Sequence, residues 1–369
     1  MRVLFAAGGT AGHINPAIAV ANLIKEKEPD SSFLFVGTEE GMEKVLVPKQ
    51  GFEIRFIKIH GFERSLSLKN VRTVSEIFTG IHEAKKIIKE FAPDVAFGTG
   101  GYVTGPVLYA AHRMGIPTLV HESNAYPGVT VKILSRYADI VALGMGEAEK
   151  FLPKPRRVEV TGNPIRPSIL KCSREEAKRA LGLDSKKTVL IFGGSLGANK
   201  LNAAAADWIS EIADRDDLNI IMSTGRNNQY ESVMARFEKN GIKLEKYGRI
   251  RVSEYIYDMD LALNAADLIV ARSGSSVSEM TALGKPAILI PSPYVTGNHQ
   301  EHNARAVESS GGAIVITEGE LTAEAIENAA RPLLSDDERL LEMSRASRNI
   351  GIRDAADKLC GLLNELTCR

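Results

Sequence analysis

Apolar and polar positions along the chain follow two alternating rhythms. Short runs rich in β-branched and aromatic residues, RVLFAA, SFLFVGT, EIRFIKI, DVAFGTG, PTLVHES and DIVALG, are separated by stretches whose apolar positions recur every three to four. A second series follows, TVLIFGG, LNIIMSTG, DLIVARSG, PAILIPSP and GAIVIT. Apolar runs without strict alternation, interleaved with helical segments, predict parallel strands covered on both faces. The chain therefore reads as α/β, with two parallel sheets.

The rhythm breaks over 160–170, VTGNPIRPSIL, where Pro164 and Pro167 interrupt both periodicities. Residues 173–176, SREE, then cap a new helix. This places the boundary between 1–162 and 163–344. The two parts echo each other: LFAAGGTAGHINPAIAV and LIFGGSLGANKLNAAA are each a strand, a glycine turn and a helix. An echo that occurs twice predicts two similar folds, not a solenoid. In the first copy Pro16 is expected to start the helix. A final helix at about 352–367 has Ala356, Leu359, Cys360, Leu363 and Leu366 at helical spacing. The C-terminal 345–369 is expected to pack back on the first domain.

At 369 residues and 44% hydrophobic content, the chain suits two domains, each with its own core. Lys and Arg total 46, as do Asp and Glu. That balance argues against nucleic acid as a partner and confines any phosphate or membrane contact to a local patch. Cys172, Cys360 and Cys368 show no C-x-x-C spacing and no even count, as in a reduced intracellular protein without a zinc site. The first apolar run is broken by Gly8 and Gly9, too soon for a signal peptide. No run approaches the roughly 18–20 apolar residues of a membrane span. A soluble or peripheral protein is expected.

Three glycine loops follow expected strands directly: GGTAGH (8–13), GTGGY (98–102) and GGSLGA (193–198). Ligands of open α/β sheets bind at the carboxyl ends of strands, where all three fall. None has the dinucleotide spacing G-x-G-x-x-G at the first turn, and G-x-x-x-x-G-K-S/T is absent. Glycine in such a loop either lets a helix pack closely on a strand or lets the backbone approach a ligand. Three in one chain favour the ligand. In GGSLGA, backbone N–H groups at a helix start and the Ser195 hydroxyl suit a diphosphate.

Downstream, ARSGSSVSEMTALGKP carries Glu279 on a short helix, where a carboxylate suits a ribose diol. Alone, Glu279 reads more readily as a solvated helix charge. GNHQEHNARAV (297–307) crowds His299, Gln300, His302 and Asn303 at a helix start. No third ligand accompanies the histidines and amides bind zinc poorly, so sugar recognition fits better than metal. The pair Asp258 and Asp260 has the D-x-D form of metal-dependent sugar transfer, yet it opens a helical run where acids complement the dipole. His13 lies outside any phosphate cradle. Its simpler alternative to catalysis is a structural hydrogen bond at a helix start.

In this order, GGTAGH…NPA, GTGGY, HESN, TGNPIR, GGSLGA and HQEHNA resemble the MurG family of peptidoglycan glycosyltransferases, over essentially the whole chain. The resemblance implies the GT-B architecture: two Rossmann-like domains with parallel sheets facing across a cleft. The first would bind acceptor and membrane, the second UDP-N-acetylglucosamine (UDP-GlcNAc). It implies an inverting transfer of GlcNAc to the C4 hydroxyl of N-acetylmuramic acid in undecaprenyl-pyrophosphoryl-MurNAc-pentapeptide (lipid I). The products are lipid II and UDP, for peptidoglycan synthesis at the cytoplasmic face of the cell membrane.

By that resemblance Ser195 and Arg166 meet the diphosphate, Glu279 the ribose hydroxyls, and Gln300 and Asn303 the GlcNAc hydroxyls. Thr10, Ala11, Gly12, His13 and Asn124 reach the donor from the opposite wall. His13 is the leading general base, since a neutral imidazole, with an unperturbed pKa of about 6.5, is available to take a hydroxyl proton. Gly100, Gly101 and Tyr102, with Glu122, line the acceptor. No cofactor or metal is implied: helix dipole, backbone N–H groups, Ser195 and Arg166 offset charge on the leaving diphosphate.

Implied partners are an anionic inner-membrane surface and proteins of cell-wall synthesis and division. The segment from Leu66 to Val74, with Arg64, Lys69 and Arg72 close by, is the membrane candidate. Residues 77–91 read instead as an amphipathic helix covering the sheet. The chain departs from the family at Ala11, often glycine there, and at Leu196 and His299, where members carry glutamine. A different GT-B UDP-sugar transferase or a UDP-GlcNAc 2-epimerase would share the donor motifs. GTGGY and HESN favour the lipid I acceptor, and a non-catalytic UDP-sugar-binding subunit would be expected to lose His13.

Overall fold

The computed structural model describes residues 1–60, 68–226 and 228–368. The chain divides into two compact units, Met1–Ile165 with Ile352–Arg369, and Arg166–Gly351. In the first, β1 (Arg2–Ala6), β2 (Ser32–Gly37), β3 (Glu53–Phe56), β4 (Val95–Gly98), β5 (Thr118–Glu122), β6 (Ile140–Leu143) and β7 (Val158–Val160) form one sheet. Its strands are parallel and ordered β3-β2-β1-β4-β5-β6-β7. The period of two sorts its core. Val3 and Phe5 of β1 face one layer and Leu4 and Ala6 the other.

Helices α1 (Ala11–Lys27), α2 (Glu43–Lys49), α3 (Leu68–Phe91), α4 (Thr104–Arg113) and α5 (Val129–Leu134) connect these strands. Helix α1 starts at Ala11 and carries Pro16 inside it, which corrects the expectation that Pro16 starts the helix. The extended backbone of Thr10 serves as N-cap instead, and the His13 and Ile14 N–H groups both donate to the Thr10 carbonyl. His13 therefore sits in the first turn of α1. On α3, Ala84, Ile87 and Ile88 are buried, with Ile77 and Ile81 packed beside them, so this stretch covers the sheet. Among the described side chains of α3, Phe78 is the large apolar residue that points outward, 71% exposed.

The second unit has β8 (Lys187–Phe192), β9 (Leu218–Ser223), β10 (Ile250–Ser253), β11 (Leu268–Ala271), β12 (Ala287–Leu289) and β13 (Ala313–Val315). They are parallel in the order β10-β9-β8-β11-β12-β13. Its helices are α6 (Arg174–Ala180), α7 (Asn199–Glu211), α8 (Gln229–Lys239), α9 (Met259–Ala265), α10 (Ser276–Leu283), α11 (His299–Ser309), α12 (Ala323–Leu334) and α13 (Asp337–Ile350). Ser173 closes a reciprocal capping box with Glu176 at the start of α6.

Residues 345–351 belong to this second unit, contrary to the expected return at 345. Arg348 and Ser344 of α13 donate to the carbonyls of Leu283 and Gly284. The chain crosses only at Ile352, whose side chain leaves no room for a Cβ on Gly162. Helix α14 (Ala355–Thr367) then lies on α1, burying Leu359, Cys360, Leu363 and Leu366 in the same layer as Val20 and Ile24. Lys27 and Asp357 pair across that contact at 2.5 Å.

Candidate active site

Each sheet reverses its winding once, between β1 and β4 in the first unit and between β8 and β11 in the second. Such switch points open a crevice at the carboxyl ends of the two strands. The loops GGTAGH and GTGGY leave β1 and β4, and GGSLGA and the Ser/Gly turn before Glu279 leave β8 and β11. Sequence placed the loops at strand ends. Only the strand order shows that they flank the two switch points.

In the first unit the two loops interlock. A Cβ on Gly100 would stand 2.8 Å from His13 Cδ2, and one on Gly101 would run into the Gly8 carbonyl. Both glycines have positive φ, which an L side chain rarely adopts. Tyr102 closes on Gly9 from the same side. Thr99 Oγ1 donates to the His13 carbonyl at 2.7 Å, and Thr104 Oγ1 donates to those of Ala6 and Gly100. Thr10 Oγ1 lies 3.4 Å from His13 Nδ1. Thr10, Gly12, His13, Gly100, Gly101 and Tyr102 thus come together. The Ala11 side chain and, in the membrane candidate from Leu66 to Val74, residues 66–67 and the side chains of 68–74 lie outside the described residues.

Glu122 sits at the end of β5, buried. Its Oε1 accepts from the Asn124 N–H and Nδ2, and its Oε2 from the Gly128 N–H at 2.8 Å. Burial raises its pKa above the ordinary carboxylate value, opposed by these hydrogen bonds. This carboxylate shapes the 123–128 loop and presents Asn124. Beside it, Asn163 Nδ2 donates to the Ser123 carbonyl and His121 Nε2 bonds the Gly162 carbonyl at 3.1 Å. The HESN and TGNPIR motifs are therefore neighbours.

Sequence reasoning passed over Glu43, which is fully buried. It accepts from the N–H groups of Gly9 and Thr38 and from the Thr38 hydroxyl, pinning the first loop to the end of β2. An acidic residue in EEGMEK gave no periodic signal for such a role.

In the second unit Ser195 is exposed in the loop before α7, whose N-cap Ala198 leaves the helix start without a side-chain cap. Residues 224–226 back this loop: a Cβ on Gly197 would strike the Thr224 carbonyl, and the Arg226 N–H donates to the Ser195 carbonyl. Gln229 Nε2 donates to the Leu196 carbonyl at 2.9 Å, while the Leu196 side chain is exposed. Gln300 Oε1 accepts from the Ser292 N–H, and Asn303, buried, donates to the Ser273 carbonyl. Ser273 Oγ in turn donates to the Gln300 carbonyl, so the β11 loop and α11 form one polar wall. His299 Nδ1 bonds the Thr296 carbonyl. Arg166 grips Glu279 with two parallel hydrogen bonds, 2.8 and 3.1 Å long.

Two Rossmann-like units of this kind, each with glycine loops at its switch point, define the GT-B fold class. Family models make it a glycosyltransferase's: the glycosyltransferase family 28 N-terminal domain matches residues 3–143, and its C-terminal domain matches 188–359. The chain belongs to glycosyltransferase family 28. It is 47% identical over 368 residues to a protein of Acetivibrio thermocellus, covering 99% of this chain and 98% of that one. That relative is named UDP-N-acetylglucosamine–N-acetylmuramyl-(pentapeptide) pyrophosphoryl-undecaprenol N-acetylglucosamine transferase. A Bacillus cereus protein of the same name, numbered 1, is 44% identical, with 99% of each chain covered. Among solved structures, Acinetobacter baumannii MurG superposes with TM-score 0.80 at 28% identity, covering 99% of both chains. A UDP-GlcNAc 2-epimerase from Neisseria meningitidis, solved with UDP-GlcNAc bound, shares the fold alone: TM-score 0.69 at 15% identity, covering 99% of this chain and all of that one.

Proposed function

We propose that the protein transfers GlcNAc from UDP-GlcNAc to the C4 hydroxyl of MurNAc in lipid I, releasing UDP and giving lipid II. The observation that carries this reading is identity of 41–47% along the full length of transferases of that name. The rival epimerases share 15–16%.

The acceptor oxygen attacks the anomeric carbon, a new C–O bond forms on the face opposite the diphosphate, and the bond to the diphosphate oxygen breaks. His13 takes the hydroxyl proton, and the loop crossing at Gly100 fixes where its ring stands. The electron pair leaves with UDP, whose charge is met by the start of α7, Ser195 and Arg166. Glu279 takes the ribose hydroxyls, and Gln300 and Asn303 the sugar. Glu122 acts by positioning Asn124. The reaction is expected to need no divalent cation. Access to a lipid-linked acceptor comes from peripheral contact with the cytoplasmic membrane face, through exposed Phe78 and the Leu66 to Val74 segment.

The test is transfer of radiolabelled GlcNAc from UDP-GlcNAc to a lipid I analogue in EDTA, beside His13→Ala. A disaccharide lipid formed by the wild type, falling by about 100-fold or more in the variant with UDP binding kept, is the expected result. UDP binding without transfer would overturn the lipid I reading.

A further inference from the structure

The reading above gives Arg166 and Glu279 separate contacts with the donor, yet the structure joins them to each other and to a third residue. Arg166 precedes the short turn Pro167–Leu170. Its Nε and Nη2 occupy both oxygens of Glu279. Its remaining edge, Nη1, lies 2.5 Å from Asp260 Oδ1, in the first turn of α9. That oxygen is buried and makes no hydrogen bond. The contact is a charge pair without hydrogen-bond alignment, and Arg166 is what compensates the aspartate.

Resting on that reading, we propose that Asp260 competes with the donor's diphosphate for Arg166 and so holds down the affinity for UDP-sugar and UDP. When Glu279 turns to the ribose diol, two anions remain for one guanidinium: the diphosphate and Asp260. A guanidinium drawn to the diphosphate leaves the buried Oδ1 of the half-buried Asp260 without its counter-charge, and an uncompensated charge on a buried oxygen is costly. That cost is subtracted from donor binding. It is also subtracted from product binding, because UDP presents the same diphosphate. Asp260 thereby favours release after transfer.

Calorimetry with UDP and with uridine separates the steps, using wild type, Asp260→Asn, Asp260→Ala and Asp258→Asn. Asp258 is exposed at the N-cap of the same helix and removes the same unit of charge when substituted. Both Asp260 variants are expected to bind UDP about tenfold tighter, with uridine affinity unchanged and Asp258→Asn close to wild type. In the transfer assay they should show stronger inhibition by UDP and a lower kcat. Equal or weaker UDP binding in both Asp260 variants overturns the proposal, as does a matching gain in Asp258→Asn, which would make it a general field effect. Parallel loss of uridine and UDP binding would mark Asp260 as merely structural. Absence of UDP binding by the wild type would instead sink the proposed function itself.

Discussion

Glu43 ties a glycine loop far from it in sequence to the end of β2 with three accepted hydrogen bonds, one from Gly9 and two from Thr38, and its side chain fills the space a Cβ on Gly8, Gly37 or Gly41 would need. Glutamine at this position keeps the volume but turns one acceptor into an NH2 group. That group then faces the N–H of Gly9 or Thr38, a buried donor against a donor, which costs about 1–3 kcal/mol. Glu43→Gln is expected to lower the melting temperature. It should also reduce kcat for transfer while leaving the UDP dissociation constant unchanged, because the diphosphate and ribose contacts of the proposed function come from Ser195, Arg166 and Glu279, while the loop Glu43 holds carries His13 and reaches the donor only from the opposite wall. Calorimetric melting and UDP titration of the variant check both halves; weakened UDP binding would contradict this division. Asp260 teaches the same lesson. Its charge was legible as a helix-start acid, but its partner Arg166 arrives from 94 positions upstream by numbering, and no local pattern carries that.

At the scale of elements, the paired loops at each switch point make substitutions separable. Gly197 has positive φ and its missing Cβ leaves room for the Thr224 carbonyl; Gly101 has positive φ and leaves room for the Gly8 carbonyl. Gly197→Ala must push residues 224–226 from the donor motif, and UDP affinity is expected to fall at least about tenfold. Gly101→Ala must separate the two loops around His13, with transfer lost and UDP affinity kept. UDP titration and the transfer assay on both proteins read this directly, and equal loss of UDP binding in both would refute it. Strands and loops were legible because central parallel strands such as Val3–Ala6 and Val189–Phe192 are apolar without interruption and end in glycine. The start of α1 was not, because proline usually marks the first helical turn, whereas here the extended Thr10 caps the helix five residues earlier. The crossing point at Ile352 was also hidden. Helices α13 and α14 are both amphipathic, and which face meets which unit depends on contacts such as Arg348 with Leu283 that spacing does not encode.

For the molecule as a whole, the two units respond to pH through different buried groups. His121 lies fully buried in the first; burial chiefly, with the nearby His13 charge, holds its imidazole down to about 4, against the Gly162 carbonyl contact that raises it. Unfolded, it would titrate at 6.5. Between those values the unfolded chain binds the extra proton, so the stability of the first unit is full above pH 6.5 and is lost as pH falls toward 4, by about 3 kcal/mol. Lys285 in the second unit is held at about 8 instead of 10.5, again chiefly by burial. Asp267 opposes that depression, while Arg174, Arg348 and Lys178 add to it, and its ammonium donates to the Asn264 and Ala266 carbonyls. Here the unfolded chain holds the proton between pH 8 and 10.5, so this group's contribution to stability rises across that window. Hydrogen exchange resolved by unit should therefore show the first unit opening preferentially between pH 6.5 and 4, with His121→Asn flattening that slope and Lys285→Met leaving it unchanged. The reverse assignment, with acid weakening the second unit alone, would mean that His121 is not buried neutral in the folded protein.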